Sequence, residues 1–443
     1  MLSGVSFQEL EQQVCRIKKS PVLAGAKQLH LFLDLLVNRA VSHNGTGSLT
    51  QEDISKALSL REFDSTKPTV RIAAGRLRSR LIEFYATEGR DDSVIIEFPK
   101  GRPYRLNARH KMSRAMRLSG EAFRRCYDGR ILWAQRTPES LEKAADCFKE
   151  AIRIDPHSPD PYAALAETYL FMALCDKAPR EVMRLAKTHA ERAVTIDPYN
   201  AEAHAALAAI LSAFYWNWKE AEREFKRSVE LDSDSLSLYS LRANHLLSLG
   251  KTEEAARDAR RILQMTVAGP SPLVTSHAAK ILFAAGKYDE SEELLVRIRE
   301  MIPNFYLVHW QLGLLYGVKG DTLTAQESLE KACALFPESF TVIAALGWVY
   351  ALVGKTDHAL KIAQHLATHR KHKYIHGTDL AMIYAALGNM GLAFQWLNRA
   401  YRERALFLPW LSVWPPFKTL YCDPQSVTIL SKMRLKHPSF SAK

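Results

Sequence analysis

Four arginines, Arg71, Arg76, Arg78 and Arg80, fall within the stretch Thr69-Val70-Arg71-Ile72-Ala73-Ala74-Gly75-Arg76-Leu77-Arg78-Ser79-Arg80-Leu81. A guanidinium is a fixed cation with a planar fork of donors, which suits phosphate oxygens and guanine edges rather than bond making. At the helical step, Val70, Ala73, Ala74, Leu77 and Leu81 share one face. Arg71 and Arg78 then flank one side of the opposite surface and Arg76 and Arg80 the other, with Gly75 and Ser79 between them. Small residues between cations let a helix approach a major groove closely, so Thr69, Arg71, Gly75, Arg76, Arg78, Ser79 and Arg80 are candidate contacts to duplex DNA. A second basic element follows: Val94 to Phe98 and Tyr104 to Leu106 read as two strands of a hairpin, whose Pro99-to-Pro103 turn makes a basic tip with Lys100 and Arg102. From Pro99 to Arg125 nine Lys or Arg stand against the single acid Glu121.

Other chemistry is sparse. No GxxxxGK[ST], HExxH, GxSxG or kinase signature occurs, so no enzymatic activity and no cofactor are expected. The histidines His365, His369, His372 and His376 could share a metal through the first pair, four apart on a helix. Arg370, Lys371 and Lys373 interleave with them and oppose a cation, so no metal site is assigned. The six cysteines are scattered without CxxC pairs, as expected of reduced thiols in a cytoplasmic protein. The first twenty residues read as neither a signal nor a transit peptide. The apolar run Phe340 to Gly354 is too short for the roughly 20 residues of a bilayer span, so no membrane association is expected. A formal net charge of +12 favours polyanionic partners and, with the helix above, a nucleoid-associated location.

The arginines need elements to hold them. Leu29, Phe32, Leu33, Leu36 and Val37 make one amphipathic helix, and Thr50 with Asp53 opens a second as a capping box. The arginine-bearing helix is the third, and the hairpin completes the domain. Leu77-Arg78-Ser79-Arg80-Leu81 and Gly101-Arg102-Pro103-Tyr104-Arg105-Leu106 resemble the recognition helix and wing of the OmpR/PhoB-type winged helix-turn-helix. That resemblance implies duplex DNA as partner, the arginines as recognition-helix contacts, and Lys100 and Arg102 as wing contacts to phosphate or minor groove. Two departures stand out. Val5 to Ile17 reads as helix where that family places a small sheet, and no receiver domain or phosphoacceptor set accompanies it.

Beyond the hairpin a repeat takes over. Gly286, Gly320, Gly354 and Gly388 are spaced by 34 residues, and Gly313, Gly347 and Ala381, Tyr316, Tyr350 and Tyr384, and Ala325, Ala359 and Ala393 keep that step. Small residues allow two helices of a hairpin to approach, glycine reverses the chain, and Pro156, Pro198, Pro303 and Pro337 end the second helix. The pattern resembles the tetratricopeptide family over about eight units, and bacterial regulators that join such repeats to a winged helix. The fold class is therefore mainly α: a winged helix-turn-helix followed by an α-solenoid. The expected divisions are an N-terminal helix (1–19), the winged domain (20–108), a basic linker (109–124), the solenoid (125–406) and a C-terminal cap (407–443) rich in proline and aromatic residues.

The first helices of the repeats should line a concave groove. Asn244, Lys280, Phe283, Leu307, Trp310, Leu314, Trp348 and Met382 then make a mostly apolar surface for a helical or apolar peptide, or for the protein's own N-terminal helix. Trp310 and Trp348 serve equally as inter-repeat core. Two functional readings follow. One is a DNA-binding transcriptional regulator whose repeats bind a partner, sense or oligomerise. The other is an interaction scaffold whose winged domain docks protein.

Overall fold

The computed structural model describes residues 2–3, 5–42, 47–57, 69–89, 92–98, 104–110, 120–232, 235–265, 271–370 and 373–435. It divides into two compact units, the first built on residues 1–119 and the second on 120–229 and 234–443.

Among the described residues the first unit holds four helices, α1 (Phe7–Lys19), α2 (Lys27–Ser42), α3 (Gln51–Ala57) and α4 (Thr69–Ala86), and three strands, β1 (Leu2–Ser3), β2 (Val94–Glu97) and β3 (Asn107–His110). Thr50 and Asp53 cap α3 reciprocally: the Asp53 N–H donates to the Thr50 hydroxyl at 3.2 Å, and the Thr50 N–H donates to the Asp53 carboxylate at 2.8 Å. Those bonds hold the Asp53 carboxyl below its usual range. One core joins Leu10, Val14 and Ile17 of α1, Phe32, Leu33 and Leu36 of α2, Leu77, Leu81 and Phe84 of α4, and Ile96 and Ala108 of the sheet. The segment read separately as residues 1–19 thus shares the core of residues 20–108.

Two details differ from the sequence reading. A two-residue strand, β1, precedes α1 and pairs parallel with β3, giving the order β1-β3-β2. The hairpin also closes later than expected, because β2 pairs with Asn107–His110 in the register Val94↔His110 to Glu97↔Asn107. Tyr104, read as part of the second strand, instead bridges Leu49 before α3, with backbone bonds of 2.8 and 3.0 Å. The shift places Ala108 opposite the buried Ile96 and leaves Tyr104 free to pack beside Phe98, their ring centroids 6.1 Å apart.

The second unit is a run of helical hairpins: α5 (Gly120–Ala134) with α6 (Pro138–Ile154), α7 (Pro159–Cys175) with α8 (Pro179–Ile196), α9 (Ala201–Ile210) with α10 (Trp218–Leu231), and α11 (Leu236–Ser248) with α12 (Thr252–Gln264). It continues as α13 (Pro272–Ala284) with α14 (Tyr288–Met301), α15 (Tyr306–Lys319) with α16 (Thr322–Leu335), α17 (Phe340–Leu352) with α18 (Thr356–His369), and α19 (Gly377–Ala386) with α20 (Met390–Glu403). First helices of successive hairpins pack side by side, as in a tetratricopeptide-like array. The periodic glycines have two physical causes. Gly286, Gly320, Gly354 and Gly388 turn each hairpin with φ between 75° and 88°, a left-handed conformation that a side chain resists. Gly313 instead permits contact: a Cβ there would lie 2.3 Å from Leu329 Cγ on the paired helix. Two 3-10 turns, Leu408–Trp410 and Pro415–Leu420, and a last helix α21 (Pro424–Lys432) follow the array.

Candidate functional site

α4 buries Val70, Ala74, Leu77, Leu81 and Phe84 and turns Ile72, Arg76, Ser79, Arg80 and Glu83 outward at the helical step. Gly75 lies in that outward stripe, and a Cβ built on it would meet nothing within 4 Å. The Ser79 hydroxyl donates to the Gly75 carbonyl at 3.1 Å, while Arg80 pairs with Glu83 at 2.8 Å, an exposed i,i+3 contact of small energetic weight. Of the residues singled out on this helix, Arg76, Arg80, Ser79 and Gly75 share one surface.

Arg78 points elsewhere. Its Nε donates to the Phe98 carbonyl at 3.0 Å, and its guanidinium carbon lies 4.8 Å from the Phe98 ring centroid, so it ties α4 to the end of β2. The side chains of Thr69 and Arg71 lie outside the described residues, as do Lys100 and Arg102 at the hairpin tip and His372 in the histidine cluster. In the last turn of α4, Tyr85 is half-buried. Its hydroxyl accepts from the Ile96 N–H at 2.7 Å and from Gln13 at 3.2 Å, and burial pushes its pKa upward. Gln13 also donates to the buried Asp92 at 2.7 Å, which anchors α1 to the same frame. Nothing in the sequence pattern marked Tyr85 or Gln13, because both act through partners distant along the chain.

The inner positions of the array do come together, but around the chain's own C-terminal segment. The Trp410 indole N–H donates to the Asn244 carbonyl at 3.2 Å. Trp414 meets Phe283 edge to face at 5.2 Å between centroids. The Lys280 ammonium lies 5.5 Å from the Trp410 ring centroid and 5.8 Å from that of Phe407. Burial and then the nearby Arg136 cation push Lys280 down to about 8. Leu314, Trp348 and Met382 are buried in one cluster with Leu408, Phe417 and Leu420, against which Trp310 packs partly exposed. Trp348 also rests where a Gly317 Cβ would be, 2.6 Å from its ring, and is thus inter-repeat core. The expected peptide surface is therefore corrected: residues 405–420 pack across it and bury their apolar side chains against the inner positions.

Sequence reading missed the polar wall of this groove. Arg136, with φ of 58°, places its guanidinium 3.4 Å from the Trp133 ring centroid and 3.5 Å from that of Phe171, and burial pushes it down to about 10. Glu167 accepts from the Ser237 hydroxyl at 2.9 Å, and burial pushes its carboxyl upward. Arg130 pairs with Glu202 at 3.0 Å. None of these follows the 34-residue step, which is why the repeat pattern could not reveal them. His365 and His369 lie with ring centroids 4.0 Å apart, tilted by 39°, but His376 is buried and hydrogen-bonds the Leu174 carbonyl at 3.2 Å. Among the described residues no group of three or more His, Cys, Asp or Glu is placed to hold a metal ion. No described helix is long and apolar enough to cross a membrane.

No protein-family model matches the chain. The transcriptional regulator HilA of Salmonella typhimurium (strain LT2) is 30% identical over 134 residues, covering 30% of this chain and 24% of that protein. The Superkiller complex protein 3 of Homo sapiens is 22% identical over 224 residues, covering 51% of this chain and 14% of that protein. The chain thus spans a quarter or less of the length of these curated relatives. Among solved structures, human IFIT1 aligns at 16% identity and a TM-score of 0.45, covering 90% of this chain and 95% of that one. Yeast Tom70 aligns at 14% and 0.40, covering 96% and 89%, and Pseudomonas aeruginosa pilF at 19% and 0.36, covering 48% and 91%. At these values the likeness to solved structures says nothing of function, and the array is established by its own hairpins and turns.

Proposed function

We propose that the chain is a transcriptional regulator that binds duplex DNA through its first unit and uses its helical-repeat array as a protein-interaction module. The observation that carries the DNA half is the outward stripe of α4, where Arg76 and Arg80 flank Gly75 and Ser79 with open space above the glycine. Helices α2 to α4 and a small sheet are the parts of a winged helix, in which such a stripe enters the major groove. Similarity to a transcriptional regulator over 134 residues supports the same reading. Phosphate contacts from the two arginines would position the helix and any bidentate contact to guanine would specify sequence. Selection of binding sites from random duplex DNA by the full chain tests it: an enriched motif supports the proposal, and an unenriched pool contradicts it.

A second reading has its own observation. The array makes up most of the chain and stands as eight hairpins among the described residues, whereas the DNA half rests on one helix face. In this reading the protein is an interaction scaffold and the first unit docks protein. Since the inner groove is filled by residues 405–420, partners would use the outer surfaces or displace that segment. Partners that survive nuclease treatment in a pull-down favour the scaffold, and partners lost on nuclease treatment favour the regulator.

A further inference from the structure

The end of the array docks on its third hairpin around a cavity of about 450 Å³. Lys187 of α8, Tyr215 and Trp216 after α9, Arg404 after α20, and Lys432 and Arg434 at the end of α21 line it, with Glu191 and Glu220 as its acids. Each acid is already engaged. Glu191 pairs with Lys187 at 3.2 Å, and Glu220 pairs with Arg223 and accepts from Asn217, both at 2.7 Å. Among the described residues no carboxylate pairs with Arg404, Lys432 or Arg434, and Arg404 donates only to the Phe214 carbonyl at 3.4 Å. Like charges gathered in a concave wall raise the local concentration of anions.

The wall is also built at a conformational cost. Residues Leu211–Tyr215 form a single π-helical turn, a feature concentrated at functional sites. Four non-glycine residues among those described have positive φ, and three of them line this cavity: Trp216 at 55°, Arg404 at 60° and Arg434 at 60°. Elsewhere in the array, Arg136 apart, the described positions with the same backbone demand are glycines, at Gly250, Gly286, Gly320, Gly354 and Gly388. At this seam bulky side chains occupy left-handed positions, and their chemistry is that of a binding wall. Arg404 lays its guanidinium 3.8 Å from the Trp216 ring centroid and Tyr401 stacks on that ring at 5.2 Å, while the Trp216 indole N–H has no acceptor among the described residues. Lys187 and Lys432 lie 5.1 and 5.8 Å from the ring centroids of Tyr215 and Tyr401.

We infer that this cavity is a binding site for a small organic anion with a planar ring, its charge met by Arg404, Lys432 and Arg434 and its ring by the partly exposed Tyr215, while Trp216 backs the wall. The volume suits a molecule of that kind, since ligand pockets commonly span about 300–1,000 Å³. Such a ligand would join α8 and the third hairpin to the end of the chain, which supplies both the cavity wall and the segment filling the inner groove. This inference stands apart from the DNA reading and survives its failure.

The test is calorimetric titration of the full chain with 2-naphthyl phosphate, alongside 2-naphthol for the ring alone and inorganic phosphate for the charge alone. Saturable one-to-one binding of 2-naphthyl phosphate is expected, with affinity about tenfold or more above either fragment. Lys432 and Arg434 are exposed, so K432Q/R434Q keeps the fold, and it should weaken binding about tenfold or more. K143Q/R153Q, on the exposed face of α6, should change nothing, and Glu191→Gln, which removes an acid from the wall, should tighten binding. No saturable binding, equal losses in the two double variants, or equal affinity for either fragment would overturn the inference.

Discussion

The indole N–H of Trp410 reaches the main-chain carbonyl of Asn244 at 3.2 Å, across 166 residues of sequence. Trp410 belongs to the C-terminal segment and Asn244 to the first helix of the fourth hairpin, so this bond fixes the segment inside the groove. Replacing Trp410 by Ala should cost about 3–5 kcal/mol, the range for deleting a buried aromatic. Trp410→Phe keeps one aromatic ring but loses the N–H bond and part of the buried ring volume, which predicts an intermediate loss of about 1–3 kcal/mol. Urea denaturation should rank the two variants in that order, and equal losses would contradict it.

The hairpin contact at Gly313 makes a second expectation. Gly313→Ala drives a Cβ to 2.3 Å from Leu329 Cγ and should destabilise the array by about 1–3 kcal/mol through overpacking. Gly391→Ala is the control, because its Cβ would meet only Asn389 Oδ1 at 3.8 Å. It should be neutral or stabilising by up to about 1 kcal/mol. Thermal melts of the two variants moving in the same direction would refute the close-approach explanation.

Stability should also fall in mild acid. His245 is buried, shares a 2.9 Å hydrogen bond with the Ser212 hydroxyl, and is pushed down by burial to about 4. The unfolded chain takes up this proton near the ordinary imidazole value of 6.5 while the folded chain does not. Stability is therefore full above pH 6.5 and is lost as pH falls toward 4, by at most about 3 kcal/mol from this group. His277 is pushed down in the same direction by burial and by Lys280 and Arg136. Equilibrium unfolding of the wild type between pH 7.5 and 4.5 should show this loss, and His245→Asn should shallow its slope. An unchanged slope in the variant would contradict the assignment.

How much of this was legible depends on the reach of each interaction. The 34-residue glycine step could be read because each glycine answers a local demand, a left-handed turn or a close helix contact within one hairpin. The Thr50–Asp53 cap was legible for the same reason, and so was the buried face of α4. The later register of β3 was not, because it depends on Ala108 finding Ile96 and Tyr104 finding Leu49 across the fold. Trp410 and Trp414 could be recognised as covering apolar surface, but their sequence carries no sign that the surface is Phe283 and Asn244. Arg78 looked like its neighbours along the helix, and only the position of the Phe98 carbonyl turns it away from them.

That division makes separable expectations for the arginines. Arg78→Ala should lower the stability of the first unit by about 1 kcal/mol through the lost Phe98 bond, and should affect DNA binding only through the position of the hairpin. Arg76→Ala should leave stability unchanged and weaken DNA binding. Melting curves and binding isotherms on the same two variants distinguish a positioning residue from a contact residue.

The most direct measurement is fluorescence anisotropy of the full chain on a labelled duplex across a salt series, for the wild type and for R76A/R80A. The account predicts an affinity that falls steeply with salt as counterions are released, and a loss of about 1–3 kcal/mol per base contact in the variant with a shallower salt slope. Wild-type and variant isotherms that coincide at every salt concentration would contradict it.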